Sequence, residues 1–203
     1  MTPNAIPAAG PLLVVANHPG LSDAVAILAA LGREDAWIVT ANYPFLREMR
    51  LASRRFLFVS DDRGDRLSSF RRIVVRLRAG ETVIVFPAGN LELDPALSRD
   101  AALSSLASWS RSIELLSRLA PGTVVVPTAI SGVVSRSAFE HPLAKRRAVA
   151  KERQRMATLL QLALPVYRAN RVSIRFGAPI APCVGYDVHA AVINAMRALI
   201  ALP

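Results

Sequence analysis

The sequence predicts an α/β fold: a mixed, mostly parallel sheet covered by helices on both faces. Three observations lead there. Short apolar runs of strand length alternate with longer stretches of helical period, the pattern of strand–helix units that layer a sheet. The first run, Leu12–Ala16, is apolar at every position, as suits a strand buried on both faces. Turn residues then punctuate the runs at Pro19-Gly20, Gly80, Pro87–Asn90 and Ala120–Gly122. No repeat, low-complexity tract or linker interrupts the 203 residues, so one domain over 1–203 is expected.

The elements follow in order. Leu12–Ala16 is a strand and Ser22–Leu31 a helix. Ala36–Thr40 is a strand, and Pro44–Ala52 a short helix with proline at its start, where a missing N–H costs little. Phe56–Val59 is a strand. Asp65–Arg78 is an amphipathic helix, because Leu67, Phe70, Ile73, Val74 and Leu77 share one face, and Gly80 ends it. Thr82–Phe86 is a strand broken by Pro87-Ala88-Gly89-Asn90. One helix is expected from about Asp100 to Leu119, then a strand at Thr123–Pro127. Pro142–Leu164 reads as one long helix, basic in its first half and apolar in its second. Arg171–Phe176 is the last strand and His189–Ala201 the last helix.

Hydrophobic residues make up 52% of the chain and mean hydropathy is +0.33, which argues against disorder. Yet the longest apolar runs, such as Ala24–Leu31, fall far short of the ~20 residues that a bilayer-crossing helix needs. The opening MTPNAIPAAG lacks the basic segment of a secretory signal. The single cysteine, Cys183, excludes an internal disulfide and reads as a small apolar residue. A cytoplasmic setting is expected.

Lys and Arg number 25 against 15 Asp and Glu, a net charge of +10. Such a chain attracts anions: nucleic acid, anionic lipid, an acidic protein or a phosphorylated substrate. Basic residues concentrate in Arg47–Arg55, Arg63–Arg72 and Lys145–Arg155. Singly they read as solvated helix faces. Phe45, Leu46, Met49 and Leu51 lie beside the first cluster, placed either for a lipid interface or for the core. Nucleic acid is not an expected partner. Aromatics are only 6%, and none interleave with basic residues as base stacking requires.

One polar interruption carries candidate chemistry. NHPGLSD, Asn17–Asp23, follows the first strand, so His18 sits near that strand's carboxyl end, where open α/β sheets place their sites. Asp23 opens the next helix and can reach back to His18 Nδ1–H. That bond would fix the tautomer and leave Nε2 as a general base toward an alcohol or amine. The plainer reading makes Ser22 or Asp23 a helix cap and His18 a loop residue. His141 and His189 lack a similarly placed aspartate and read as surface or loop residues. There is no G-x-S-x-G elbow, phosphate-binding loop or dinucleotide-binding glycine loop. One Cys and three scattered His do not make a usual structural zinc site, and no metal is expected.

NHPGLSD resembles the N-H-x4-D block of the glycerolipid acyltransferases, the lysophosphatidic-acid acyltransferase-like family. Four further stretches are similar to that family's blocks in the same order: FLFVSDDRGDR (Phe56–Arg66), VIVFPAGN (Val83–Asn90), VVVPTAI (Val124–Ile130) and VSIRFGAPI (Val172–Ile180). The resemblance implies a sandwich of helices around a mixed sheet. It implies acyl transfer from acyl-CoA or acyl-carrier protein to a hydroxyl of a lysolipid or glycerol phosphate, with no cofactor beyond the acyl donor. His18 then matches the general base and Asp23 its orienting partner. Asn17 and Gly20 accompany them in the first block. Arg63 or Arg66 matches the second-block arginine that contacts acceptor phosphate. Phe86, Pro87, Gly89 and Asn90 fall on the third block, and Gly20 and the Gly89-Asn90 turn are candidate backbone donors to an oxyanion.

Where the family usually has glutamate and arginine in its third block, this chain has Ala88 and Leu91. That removes an acceptor for the glycerol hydroxyls and a bidentate phosphate clamp. Glu92 is a candidate replacement carboxylate. F-P-A-G is similar to the hemolysin-type, ornithine-lipid-related branch, whose acceptors differ. Water as acceptor, giving a thioesterase or lipid hydrolase, and a non-catalytic basic binding module are the alternatives. The first strand begins at Leu12, so the N-terminal membrane helices of some members are not expected. The basic clusters instead imply a peripheral place on an anionic, inner-face membrane surface.

Overall fold

The computed structural model describes residues 6–48, 52–59, 63–183 and 185–202, with the main chain alone at 45, 52 and 63–66. Six strands form one sheet among these residues: β1 (Leu12–Ala16), β2 (Ala36–Ala41), β3 (Phe56–Val59), β4 (Thr82–Val85), β5 (Val124–Ser131) and β6 (Ser173–Phe176). Their order is β3-β2-β4-β1-β5-β6. All neighbours pair in parallel except the edge strand β6, which runs antiparallel to β5. Central β1 is fully buried at all five positions, which is why its sequence shows no alternation.

The helices divide unequally between the two faces. Ile27 and Leu31 of α1 (Asp23–Leu31) pack on Leu12, Val14, Ile38, Ile84 and Val126. The opposite face meets four helices: α3 (Arg63–Arg78), α4 (Arg99–Ser105), α5 (Ser112–Leu119) and α9 (Val188–Ala201). Ile73, Leu77, Ile113, Leu116, Val192 and Met196 close over Leu13, Val15, Val83 and Val125 there. The short α2 (Pro44–Glu48) follows β2. Of three more helices, α6 (Arg136–Phe139) and α8 (Ala150–Ala163) form a separate small core with Val134 through Ala138 and Ala157, and α7 (Pro142–Lys145) packs on α8.

This wiring creates a crevice. After β1 the chain leaves over one face through α1, while after neighbouring β4 it leaves over the other through α4 and α5. Adjacent parallel strands whose connections diverge leave a gap at their carboxyl ends. His18 lies just past β1 and Phe86 just past β4.

Several predicted elements are corrected. The expected helix from about Asp100 to Leu119 is two helices, α4 and α5, separated by a 3-10 turn at Leu106–Ser108 and an extended Trp109. Ser104 and Ser108 each bond a nearby backbone carbonyl, the local competition by which serine loosens a helix. The expected helix Pro142–Leu164 breaks between α7 and α8, because α6 and α7 fold back onto α8. The Arg153 side chain ties that hairpin by donating to the Phe139 carbonyl and to Glu140.

The strand expected to end at Pro127 continues to Ser131. Pro127's carbonyl accepts from Gly177 N–H at 2.7 Å, and in a strand a residue's N–H and C=O point to the same side. Its missing donor thus faces the gap between the β5–β6 ladder, which starts at Thr128, and the bridge of Val125 to Ile180. The return bond it lacks is the one to Gly177, just past the last ladder pair, and proline is tolerated at such an end of pairing. In the stretch expected as helix Pro44–Ala52, α2 ends at Glu48 and a 3-10 turn begins at Ala52, while Met49 and Leu51 lie outside the described residues.

Candidate active site

Asn17 follows β1 and extends its pairing with a side chain. Its Nδ2 donates to Ile130 C=O at 2.9 Å, and its Oδ1 accepts from Ile130 N–H at 2.8 Å. A side-chain amide thereby stands in for one more rung of sheet to β5, and a buried polar residue is fully paired. Asn17 is thus turned into the fold rather than toward a substrate.

The next residue turns the other way. His18 Nδ1 lies 2.6 Å from Asp23 Oδ2, with the histidine side chain 27% exposed and the aspartate 1%. Asp23 Oδ2 also accepts from Gly20 N–H at 3.2 Å, and Oδ1 from Ala24 N–H at 2.7 Å. Three donors thus hold one buried carboxylate against the ring. The plainer reading of this pair as a helix cap does not fit: Ser22 makes no side-chain capping bond, and Asp23 bonds back across the turn. Across the crevice, Phe86 stacks on the imidazole with centroids 4.6 Å apart and planes at 28°. The ring is fixed at its edge by Asp23 and on its face by Phe86.

Glycine is required inside this turn. A Cβ on Gly20 would stand 2.6 Å from Val133 Cγ1, so the chain passes under the β5 exit loop only without a side chain. Gly89 has φ +67°, and its N–H donates to Phe86 C=O at 3.0 Å, closing the third-block turn. Pro87 C=O accepts from Ser110 N–H at 3.1 Å.

These bonds correct two expectations. The N–H groups of Gly20 and Gly89 are already engaged, the first by Asp23 and the second by Phe86, and neither is free for an oxyanion. The N–H of Asn90 has no partner among the described residues. Ala88 packs against the core. The side chains of Arg63 and Arg66, the expected phosphate contacts, lie outside the described residues. Their main chain opens α3.

Glu92 also departs from expectation. Rather than facing an acceptor, it is 2% exposed and turned inward. Its Oε2 accepts from His18 N–H at 2.9 Å, and its Oε1 from Ser105 Oγ–H at 2.6 Å and Trp109 Nε1–H at 2.8 Å. Two more buried polar residues escaped the sequence reading. Gln154 of α8 donates from Nε2 to Pro19 C=O and Glu92 C=O, and its Oε1 accepts from Asp94 N–H. Asp94 in turn accepts from Gly132 N–H and Val134 N–H. The available signal was the LELD stretch, two acids beside apolar residues in a loop. Among the described residues no three His, Cys, Asp or Glu gather as metal ligands, and no helix is long and apolar enough to cross a membrane.

The acyltransferase family model matches residues 2–131, a span holding β1 to β5 and the whole NHPGLSD turn, and the chain belongs to that family. Among solved structures it is similar to the 1-acyl-sn-glycerophosphate (LPA) acyltransferase PlsC from Thermotoga maritima. The match covers 98% of this chain and 69% of that one, with TM-score 0.56 and 16% identity. At that identity the likeness is one of fold. No match is found among curated proteins.

Proposed function

We propose that residues 1–203 form one acyltransferase domain that moves a fatty acyl group from acyl-CoA or acyl-carrier protein to a hydroxyl. The acceptor class is a lysolipid or a glycerol-phosphate-like molecule. The observation that carries this reading is the 2.6 Å contact of His18 Nδ1 with buried Asp23. With Nδ1–H donating to the carboxylate, Nε2 keeps its lone pair. It removes the acceptor hydroxyl proton as that oxygen attacks the thioester carbonyl. The tetrahedral oxyanion then collapses, the C–S bond breaks, and the thiolate takes the proton from Nε2–H. Asp23 stabilises the transient imidazolium. Each backbone donor to the oxyanion contributes about 3–4 kcal/mol, and Asn90 N–H is the candidate in the third-block turn. No side-chain nucleophile is required.

Purified His18→Ala tests this in a thiol-release assay with lysolipid present. Loss of about 1,000-fold or more in rate is expected, and near-wild-type turnover overturns the proposal. Ala88 and Leu91, which bring neither carboxylate nor guanidinium to the third block, favour water as the one competing acceptor. Thiol release undiminished by omitting every lipid acceptor would establish that thioesterase reading.

The charge of +10 and the exposed Leu21 and Val25 flanking the His18 turn support a peripheral dock on an anionic, inner-face membrane. Flotation with anionic vesicles and none with neutral ones is expected; equal flotation removes that part of the reading.

A further inference from the structure

We infer that Glu92 is a positioning residue for His18, holding the main chain from which the imidazole hangs. The inference rests on the reading of His18 as the base. Contact between the two residues is reciprocal. Glu92 N–H donates to His18 C=O at 2.8 Å, and His18 N–H donates to Glu92 Oε2 at 2.9 Å. Both main-chain polar groups of His18 are therefore bound by one residue 74 positions away. Glu92 is itself held from three sides. Trp109 Nε1 and Ser105 Oγ fix Oε1, and Gln154 Nε2 fixes its carbonyl at 2.6 Å while also holding Pro19 C=O at 2.8 Å.

A neutral turn would serve a loop as well and at lower desolvation cost. Burying a carboxylate is expensive unless its oxygens are bonded, and no cation forms an ion pair with Glu92 among the described residues. Its four-way fit has a consequence at the ring. The imidazole is pinned by Asp23 and Phe86, but those contacts aim Nε2 correctly only if the Cα of His18 is fixed as well. Asp23 sets the ring's tautomer and Glu92 sets its origin. The Glu92 carboxyl group also lies beside the main chain of the residue that carries the transient imidazolium of the proposed reaction. Both effects act on the transition state rather than on substrate binding, so they belong in kcat and not in KM.

Glu92→Gln breaks the clasp selectively. Its single carbonyl oxygen satisfies the two donors Trp109 and Ser105 best, which turns the amide NH2 against His18 N–H. The expected result is a fall in kcat of about 100-fold, the cost of a small misplacement of a catalytic group. KM for donor and acceptor stays near wild type, and the downfield His18 Nδ1 proton resonance shifts. Trp109→Phe, which leaves the Oε2–His18 bond in place, is the comparison. It is expected to lower kcat far less than Glu92→Gln, at an equal or larger loss of Tm.

A drop in kcat that merely tracks Tm across the two variants would overturn the inference. So would wild-type kcat in Glu92→Gln alongside an inactive His18→Ala. Activity surviving in His18→Ala would instead remove the general-base reading, and this inference with it. If Glu92→Gln does not fold, Glu92→Asp, which keeps the charge but shortens the reach, is read in the same way.

Discussion

The two ends of the sheet both bury charge, and they do so in opposite ways. At the amino end Arg33, just after α1, donates to the carbonyls of Pro7 and Gly80 and lies along both oxygens of Asp35. Thr82 Oγ–H at the start of β4 adds a bond to the same carboxylate. That is an ion pair, cation against anion, and it fastens three loops. At the carboxyl end Asp23, Glu92 and Asp94 are all buried, and N–H and O–H donors rather than guanidinium groups meet them. Only His18 forms an ion-pair contact there among the described residues. A neutralised pair gives a fastening. At the carboxyl end Asp23 faces the His18 ring with no guanidinium beside it, which leaves its charge for the imidazolium of the proposed reaction.

The sharpest way to break this contrast is Asp23→Asn. The amide keeps the size and one acceptor, but it lets the ring adopt the wrong tautomer and removes the charge facing the imidazolium. A loss of about 10,000-fold in kcat is expected, by analogy with the serine-protease triad aspartate. The amide NH2 is also turned against Gly20 N–H or Ala24 N–H, so a lower melting temperature is expected and kcat is read well below it. Steady-state kinetics beside a thermal melt decides it. A loss under tenfold would make the carboxyl end another fastening, no different in kind from the amino end.

How far these ends were legible in sequence differs too. The strand run Leu12–Ala16 is legible because complete burial in a parallel sheet demands unbroken apolar residues, and Phe56–Val59 is as apolar although only Leu57 is buried. The His18–Asp23 contact is legible because four intervening residues and a Pro-Gly turn bring the two side chains together locally. Glu92 is not, since its partners Ser105, Trp109 and His18 lie 13, 17 and 74 positions away. Gln154 is hidden for a related reason. It sits in a basic helical stretch whose polar residues read as solvated, yet Gln154 and Ala157 form the inward face. Helix breaks at Leu106–Ser108 and between α7 and α8 carry no Gly or Pro; serine bonds to backbone carbonyls help set the first, and the fold-back of α6 and α7 onto α8 sets the second.

The smallest expected effect lies at the amino end and is read through pH. The hydrogen bonds and charge of Arg33 hold the Asp35 carboxyl below its ordinary value near 3.8, against a smaller opposing push from burial. A folded pKa below the unfolded one means the bridge contributes fully above that ordinary value. The contribution then fades as pH falls through the lower, folded value. The Asp35 side chain is 36% exposed, so solvent screening keeps the contribution to about 1 kcal/mol or less. Asp35→Asn should therefore lower urea-unfolding stability by that amount near neutral pH. The gap to wild type should close as pH falls below the ordinary carboxylate range and the folded-state carboxylate is protonated. Turnover should match wild type at every pH where both are folded, because Asp35 fastens the amino end and no bond links it to the histidine turn. A kcat deficit in Asp35→Asn would show that the two ends are coupled through β1 and β4, and that the division between fastening and aiming charges does not hold.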